Sequence, residues 1–258
     1  MGGTLPRTYG KSEGFMEDKR LEHQKELSSI ALSILGGSGY VLAGSGAIRE
    51  HGLTSRPTED IDLFGSYEEQ EGFPDAADRL IDGLKDAGYG IEVYRRTDRF
   101  MTLAATKNGL SQQVDMGIDY REYPPKLLSV GFVLDVRDAV ANKVCAVFSR
   151  GYPRDYIDLD SIRRNSGFAD DELIDLAMNA DPGFTEGLFA QALLRVSTLE
   201  LGQVERYGVT VESLDSMKRD LRSWASELLA PDIQVELARD VASETQGEEP
   251  FHRQGVKR

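Results

Sequence analysis

The pattern of apolar residues changes near Pro124 and Pro125, and this change limits the folds available to the chain. Before these prolines, short apolar segments of strand length alternate with segments of helical periodicity. Strands are predicted at 40–43, 61–64, 91–94, 100–105 and 113–118, and helices at 15–35, 46–51 and 74–87. After the prolines, a last strand at 132–134 is followed only by helical patterns, at 137–148, 154–162, 170–178, 186–199 and 211–229.

This order predicts an α+β fold in which a mixed sheet is built first and a helical region follows it. We expect a sheet domain at 15–135 and a helical domain at 136–240. The segments 1–14 and 243–258 carry no packing pattern, and they are predicted to be disordered.

Composition limits the chemistry that such a chain can perform. The single cysteine, Cys145, and three scattered histidines exclude a disulfide framework and a cysteine–histidine zinc site. Any metal must therefore rely on carboxylates, which favours a hard ion such as Mg²⁺. The net charge of -14 argues against a protein that coats nucleic acid, although residues 121–164 carry eight basic and six acidic side chains.

The sequence also indicates where the protein resides. No apolar run is long enough to cross a bilayer, and the first residues lack the apolar core of a signal peptide. We therefore expect a cytoplasmic protein with no membrane partner.

Two aspartates alternate with apolar residues in the predicted strand at 61–64. Successive side chains of a strand point to opposite faces, so Asp60 and Asp62 share one face while Ile61 and Leu63 point into the core. Two carboxylates side by side repel each other unless a divalent cation lies between them. An acidic, solvent-facing strand is the alternative interpretation.

A third carboxylate strengthens the metal interpretation. In the predicted strand at 113–118, Val114 and Met116 face one side and Asp115 faces the other. If this strand lies beside the first, Asp60, Asp62 and Asp115 converge and can bind two magnesium ions, which activate a hydroxyl and stabilise a leaving pyrophosphate. Asp119 is a competing choice, but it lies beyond the alternation.

Further candidates for nucleotide binding surround the first aspartates. A glycine turn at Gly44 and Ser45 follows a strand and precedes a helix, which allows backbone amides to approach a phosphate. Arg56 is a candidate phosphate contact. By alternation Thr58 shares the face of Asp60, which would place its hydroxyl near the metals.

The stretch from Val41 to Phe64, VLAGSGAIREHGLTSRPTEDIDLF, resembles the polymerase-β-type nucleotidyltransferase superfamily. More closely, it is similar to the AbiEii/AbiGii-type toxins of bacterial type IV toxin–antitoxin systems. Their pattern runs from a glycine turn to an arginine and then to Asp-hydrophobic-Asp. The chain departs from this pattern in having Ser45 and Gly46 where a glycine and a threonine are more usual.

A second block, from Val136 to Ile162, continues the likeness with a lysine-bearing helix followed by an Arg-Asp-hydrophobic-hydrophobic-Asp-Leu pattern. By position, Lys143 matches the family lysine and Asp158 the later aspartate. The resemblance thus implies that Lys143 binds the phosphates of a nucleoside triphosphate and that Asp158 orients it, both from the helical domain. An ordinary surface lysine with an ion partner is the alternative.

The resemblance implies a Mg²⁺-dependent transfer of a nucleotide from a nucleoside triphosphate to RNA. It further implies that the acceptor is the 3′ end of tRNA and that a cognate antitoxin protein is a partner. Two other functions stay open from the residues alone. One is nucleotide transfer to a small molecule, and the other is a non-catalytic domain that binds nucleotide or a protein.

Overall fold

The computed structural model describes the backbone of residues 10–245 and the side chains of residues 19–230. In the first part of the chain, three helices are interleaved with seven strands. These elements are α1 (Gly10–Ile34), β1 (Val41–Leu42), α2 (Gly44–Glu50), β2 (Asp60–Gly65), α3 (Phe73–Asp86), β3 (Gly90–Arg96), β4 (Phe100–Lys107), β5 (Leu110–Ile118), β6 (Lys126–Leu128) and β7 (Gly131–Val133).

The second part of the described chain is helical. Its α-helices are α4 (Val136–Ser149), α5 (Pro153–Asn165), α6 (Asp170–Ala180), α7 (Glu186–Leu194), α8 (Leu201–Val204) and α9 (Val211–Thr245). Short 3₁₀ turns lie at Tyr67–Glu69, Arg195–Thr198 and Glu205–Tyr207. None of the helices within the described range has the length and apolar sequence needed to cross a bilayer.

The seven strands form one mixed sheet in the order β3-β4-β5-β2-β1-β7-β6. Strand β2 is parallel to β5 and β1 is parallel to β7, while the other neighbouring pairs are antiparallel. This architecture confirms the predicted α+β class with a mixed sheet followed by helices. Strand β2 lies in the middle of the sheet, where it is hydrogen-bonded to β5 on one side and to β1 on the other.

Apolar periodicity explains how the helices pack. Helix α3 buries Phe73, Ala77, Leu80 and Leu84, which recur at intervals of three or four residues and form one apolar face. Helices α1 and α3 pack against each other and against the sheet. Helix α4 packs against α2, α5, α6 and α7, so it joins the helical part to the sheet.

The predicted boundary between residues 135 and 136 falls between β7 and α4. Buried side chains of both parts nevertheless belong to one continuous cluster that extends from Leu27 in α1 to Trp224 in α9. The packing of Trp224 edge-on against Phe189 of α7, with ring centroids 5.2 Å apart, anchors α9 in this cluster.

Several element boundaries differ from the prediction. The helix expected at 186–199 ends at Leu194 and continues as a 3₁₀ turn. Strands β6 and β7 pair as a hairpin, although only one strand was predicted there. Of the segments predicted to be disordered, 1–9 and 246–258 lie outside the described residues, whereas helices α1 and α9 include residues 10–14 and 243–245.

Candidate active site

Three carboxylates converge where β2 lies beside β5. In this parallel pair Asp62 is directly opposite Asp115, and Asp60 is opposite Gln113. One oxygen from each of Asp60, Asp62 and Asp115 lies within 4.8 Å of the other two. Ile61 on the opposite face of β2 is fully buried, as the alternation predicts. The structure thus brings the three predicted acids together.

Asp119, the competing third acid, lies outside this group. It follows the end of β5, and its Oδ1 accepts a hydrogen bond from the backbone N–H of Tyr120 at 2.8 Å. Within the described residues, the acids that are spaced to share a cation are Asp60, Asp62 and Asp115.

Electrostatic repulsion is strong within this group. Burial and the adjacent charge of Asp60 raise the pKa of Asp62 to about 7, and the charge of Asp115 adds to the shift against the opposing charges of Lys143 and Arg150. Asp62 therefore holds its proton to higher pH than an ordinary aspartate when no cation is bound. A divalent cation would offset this repulsion and displace the proton.

The donor atoms fit such a cation. Asp115 Oδ2 accepts a hydrogen bond from Gln113 at 3.1 Å. Asp115 Oδ1 is buried and has no hydrogen-bond partner among the described residues. A buried carboxylate oxygen without a partner is costly, and a metal ion supplies the missing interaction. Carboxylate oxygens are the ligands that Mg²⁺ prefers.

Gly44 lies directly beside the Asp62 carboxylate, where a side chain would not fit. Its φ is +56°, a left-handed conformation that glycine adopts without strain. A Cβ at this position would lie 1.7 Å from Asp62 Oδ2. Glycine at this first position of α2 is therefore required in order to leave space for the Asp62 carboxylate.

A second cluster, of two cations around one buried carboxylate, connects this region to the helical part. Asp158 of α5 is completely buried, and it binds the guanidinium of Arg56 through two contacts of 2.6 and 2.7 Å. Lys143 Nζ of α4 lies 2.9 Å from Oδ2 of the same carboxylate. Burial disfavours the charge of Asp158, but the charges and hydrogen bonds of Lys143 and Arg56 outweigh it and lower its pKa.

Ser45 lies at the centre of this cluster. Its hydroxyl accepts hydrogen bonds from Lys143 Nζ at 2.8 Å and Arg56 Nη2 at 2.6 Å, and it donates to Asp158 Oδ2 at 3.1 Å. Lys143 is likewise buried, with its ammonium group directed at Ser45 and Asp158 and electrostatically coupled to Asp62. The structure thus unites Ser45, Lys143 and Asp158, which are far apart in sequence.

Arg56 is held within the protein. Besides Asp158 and Ser45, its guanidinium donates to the carbonyl of Pro57 at 2.9 Å and lies 5.3 Å from the ring centroid of Tyr207. Burial opposes its charge, but the hydrogen bonds and charge of Asp158 prevail and raise its pKa. Its observed contacts are those of a residue that positions Ser45 and Asp158.

Thr58 precedes β2, which begins at Asp60, so the strand alternation does not extend to it. Its hydroxyl accepts a hydrogen bond from Arg49 at 3.3 Å. Arg49 also binds Gln24 of α1 at 2.6 Å, and Gln24 donates to the carbonyl of Asp60 at 3.2 Å. Sequence reasoning missed Gln24 and Arg49, which hold the start of β2, because polar residues on helices give no local signal of such contacts.

The first prediction concerns Gly44. Gly44→Ala should weaken Mn²⁺ binding, because the new Cβ would displace the Asp62 carboxylate. We expect a loss of affinity of about 10- to 100-fold, which is the usual effect of losing a group that orients a metal ligand. Titration calorimetry of the purified protein measures this affinity.

Gly52→Ala is the matched control for this prediction. Gly52 also has a positive φ, of +76°, but a Cβ there would meet nothing within 4 Å. The control should lose about 1 kcal/mol of stability from backbone strain and keep its Mn²⁺ affinity. Equal Mn²⁺ affinities in Gly44→Ala and wild type would contradict the steric role of Gly44.

The second prediction concerns the buried charge cluster. Asp158→Asn should lower the free energy of unfolding at neutral pH by about 3–5 kcal/mol, because Arg56 and Lys143 would remain buried without their counter-ion. Because the pKa of Asp158 is lowered, its contribution is lost only as the pH falls below the ordinary aspartate range. Urea denaturation measures the change.

Asp160→Asn on the same helix provides the comparison for Asp158→Asn. Asp160 forms an i,i+4 ion pair with the half-exposed Arg164, so its loss should cost less than about 1 kcal/mol. Similar losses in the two variants would show that the Asp158 cluster does not contribute the predicted stability.

Comparison of the sequence with protein-family models gives a match to a known family. The family model described as "Nucleotidyl transferase AbiEii toxin, Type IV TA system" matches residues 34–205, more than half of the chain. No curated protein sequence matches the chain.

Two solved structures from Helicobacter pylori share the fold. JHP933 is 19% identical with a TM-score of 0.50, and the match covers 88% of this chain and 98% of JHP933. A protein assigned as a nucleotidyltransferase is 18% identical with a TM-score of 0.53, and the match covers 84% of this chain and 98% of that protein. At these identities the likeness concerns the fold alone.

The family match covers both the glycine turn with its aspartates and the block that contains Lys143 and Asp158. It confirms the resemblance noted in the sequence. The chain is therefore a nucleotidyltransferase that belongs to the AbiEii toxin family of type IV toxin–antitoxin systems.

Proposed function

We propose that the protein transfers a nucleoside monophosphate from a nucleoside triphosphate to the 3′ end of an RNA, with tRNA as the acceptor and two Mg²⁺ ions as cofactors. The observation that carries this proposal is the convergence of Asp60, Asp62 and Asp115 within 4.8 Å beside the glycine turn. The family match supports the reaction class, and the acceptor is an extension from the family resemblance.

In the proposed reaction, the acceptor hydroxyl attacks the α-phosphorus, and the bond from this phosphorus to the pyrophosphate oxygen breaks. Bound Mg²⁺ would supply charge neutralisation for the acceptor oxygen and the pyrophosphate. We assign the proton of the acceptor hydroxyl to the Asp115 carboxylate, whose Oδ1 has no hydrogen-bond partner among the described residues. Asp60 and Asp62, on β2, would hold the cations.

The buried charge cluster contributes by positioning. Asp158 and Ser45 fix Lys143, whose charge acts on Asp62. We assign Lys143 to the phosphates of the nucleotide, with Gly44 and Ser45 lining the same region. Arg56 holds Asp158 and Ser45 in place. Thr58 lies before β2 and its hydroxyl binds Arg49, so we assign it an indirect effect on the nucleotide.

Transfer to tRNA would block translation, because a modified 3′ end cannot be aminoacylated. Such an activity requires control in the producing cell. We therefore propose that a cognate antitoxin protein is the partner of this chain, as the type IV toxin–antitoxin family implies.

The third prediction tests the reaction itself. Wild type incubated with Mg²⁺, each α-labelled nucleoside triphosphate in turn and purified tRNA should incorporate label into the RNA. Asp60→Asn should reduce the rate by at least about 100-fold, because it removes a metal ligand while keeping the side-chain shape. Gel electrophoresis measures the labelled RNA.

Asp98→Asn is the matched control, because Asp98 is an exposed aspartate between β3 and β4 at the far edge of the sheet. It should transfer label at the wild-type rate. Transfer of label only to small molecules in a cell extract would replace the RNA acceptor with a small-molecule one. Nucleotide binding without transfer to any acceptor would contradict the proposed activity.

A further inference from the structure

An exposed aromatic side chain lies at the junction of α4 and α5. Tyr152 is 51% exposed and immediately precedes α5. The guanidinium carbons of Arg150 and Arg154 lie 5.3 and 5.5 Å from its ring centroid. The fold does not require this ring, since the helix is capped through the backbone N–H of Tyr152, which donates to Asp155 at 3.0 Å.

Both arginines connect the ring of Tyr152 to the metal-binding strand. Arg150 lies within electrostatic range of Asp62 and donates two hydrogen bonds of 3.0 Å to the buried Asp155. Arg154 Nη1 lies 3.5 Å from Glu59 Oε2, and Glu59 directly precedes Asp60. The ring is therefore linked through Arg154 and Glu59 to the residue that precedes Asp60.

A third guanidinium, that of Arg206, also contacts Glu59. Arg206 Nη2 lies 3.0 Å from Glu59 Oε1, and its side chain is 63% exposed. The side chains of Arg150 and Arg154 are 46% and 31% exposed. In a chain with a net charge of -14, three accessible arginines beside the site form a local basic surface.

The ion pairs of Glu59 with Arg154 and Arg206 are weak enough to be exchanged. Glu59 is 45% exposed, and exposed ion pairs contribute little free energy, so a phosphate can replace it as the partner of Arg154 or Arg206. An exposed aromatic ring beside arginines is the combination that binds single-stranded nucleic acid and nucleotides, because the ring stacks on a base while the arginines contact phosphates.

We propose that Tyr152 stacks on a nucleobase of a substrate held at the carboxylate site, while Arg150 and Arg154 contact its phosphates. This inference rests on the proposed function and names the base-binding subsite of that reaction. The base belongs either to the incoming nucleoside triphosphate or to the terminal nucleotide of the RNA acceptor, and both present the same flat surface to the ring.

The fourth prediction tests this subsite. Tyr152→Ala should raise the KM for one of the two substrates by about tenfold with little change in kcat, because stacking on one base is lost. Tyr152→Phe should keep the wild-type KM, since stacking needs the ring and not the hydroxyl. Steady-state transfer with the nucleoside triphosphate and the RNA varied in turn shows which substrate supplies the base.

Tyr94→Ala is the matched control, because Tyr94 is 60% exposed on the edge strand β3. It should leave both KM values unchanged. Changes of less than about twofold in both KM values of Tyr152→Ala would overturn the proposal, and so would a Tyr152→Phe variant as impaired as Tyr152→Ala.

A binding measurement separates this inference from the proposed reaction. Fluorescence anisotropy of a labelled nucleoside triphosphate and of a labelled single-stranded RNA requires no turnover. If wild type transfers nothing, the proposed reaction fails, yet weaker binding of either probe to Tyr152→Ala would still support the subsite. Unchanged affinity for both probes would reject it even if wild type transfers label.

Discussion

The parallel pairing of β2 with β5 forces like charges together, and the site is organised around this constraint. The register that places Asp62 opposite Asp115 is maintained by the fully buried Ile61, Leu63, Val114 and Met116 on the other face. A shift by one residue would bury the acids and expose the apolar side chains. The apolar core therefore stabilises an arrangement of carboxylates that would be unfavourable by itself, as expected when stability is sacrificed for function.

The charge cluster around Asp158 differs from the three acids because it brings unlike charges together. Arg56 and Lys143 bring two positive charges into the interior, and a single carboxylate with a serine hydroxyl satisfies both. Residues of the cluster come from α2, α4, α5 and the segment before β2, so it fixes the helical part against the sheet. The two clusters therefore have distinct roles: the three acids repel one another and can bind a cation, whereas the second cluster pairs Lys143 and Arg56 with Asp158 in the interior.

The sequence was sufficient to predict the features that depend on local periodicity. Strand alternation predicted that Asp60 and Asp62 share a face, and the apolar pattern of β5 favoured Asp115 over Asp119. Other contacts depend on tertiary structure and carry no local signal. The hydrogen bonds of Ser45 to residues about 100 positions away, the pairing of β6 with β7 and the contact of Gly44 with Asp62 all arise only when distant segments meet. The segment from Arg150 to Arg154, in which an arginine lies two residues before and two residues after Tyr152, could have been recognised from the sequence as an aromatic residue flanked by basic residues.

The most direct test of this account is the position of the metal. A crystal of the protein with Mn²⁺ and a non-hydrolysable nucleoside triphosphate gives an anomalous difference map that locates each manganese ion. The account predicts a peak between Asp60, Asp62 and Asp115, at about 2.0–2.3 Å from their carboxylate oxygens. A map with nucleotide bound but no manganese between these three side chains would contradict it.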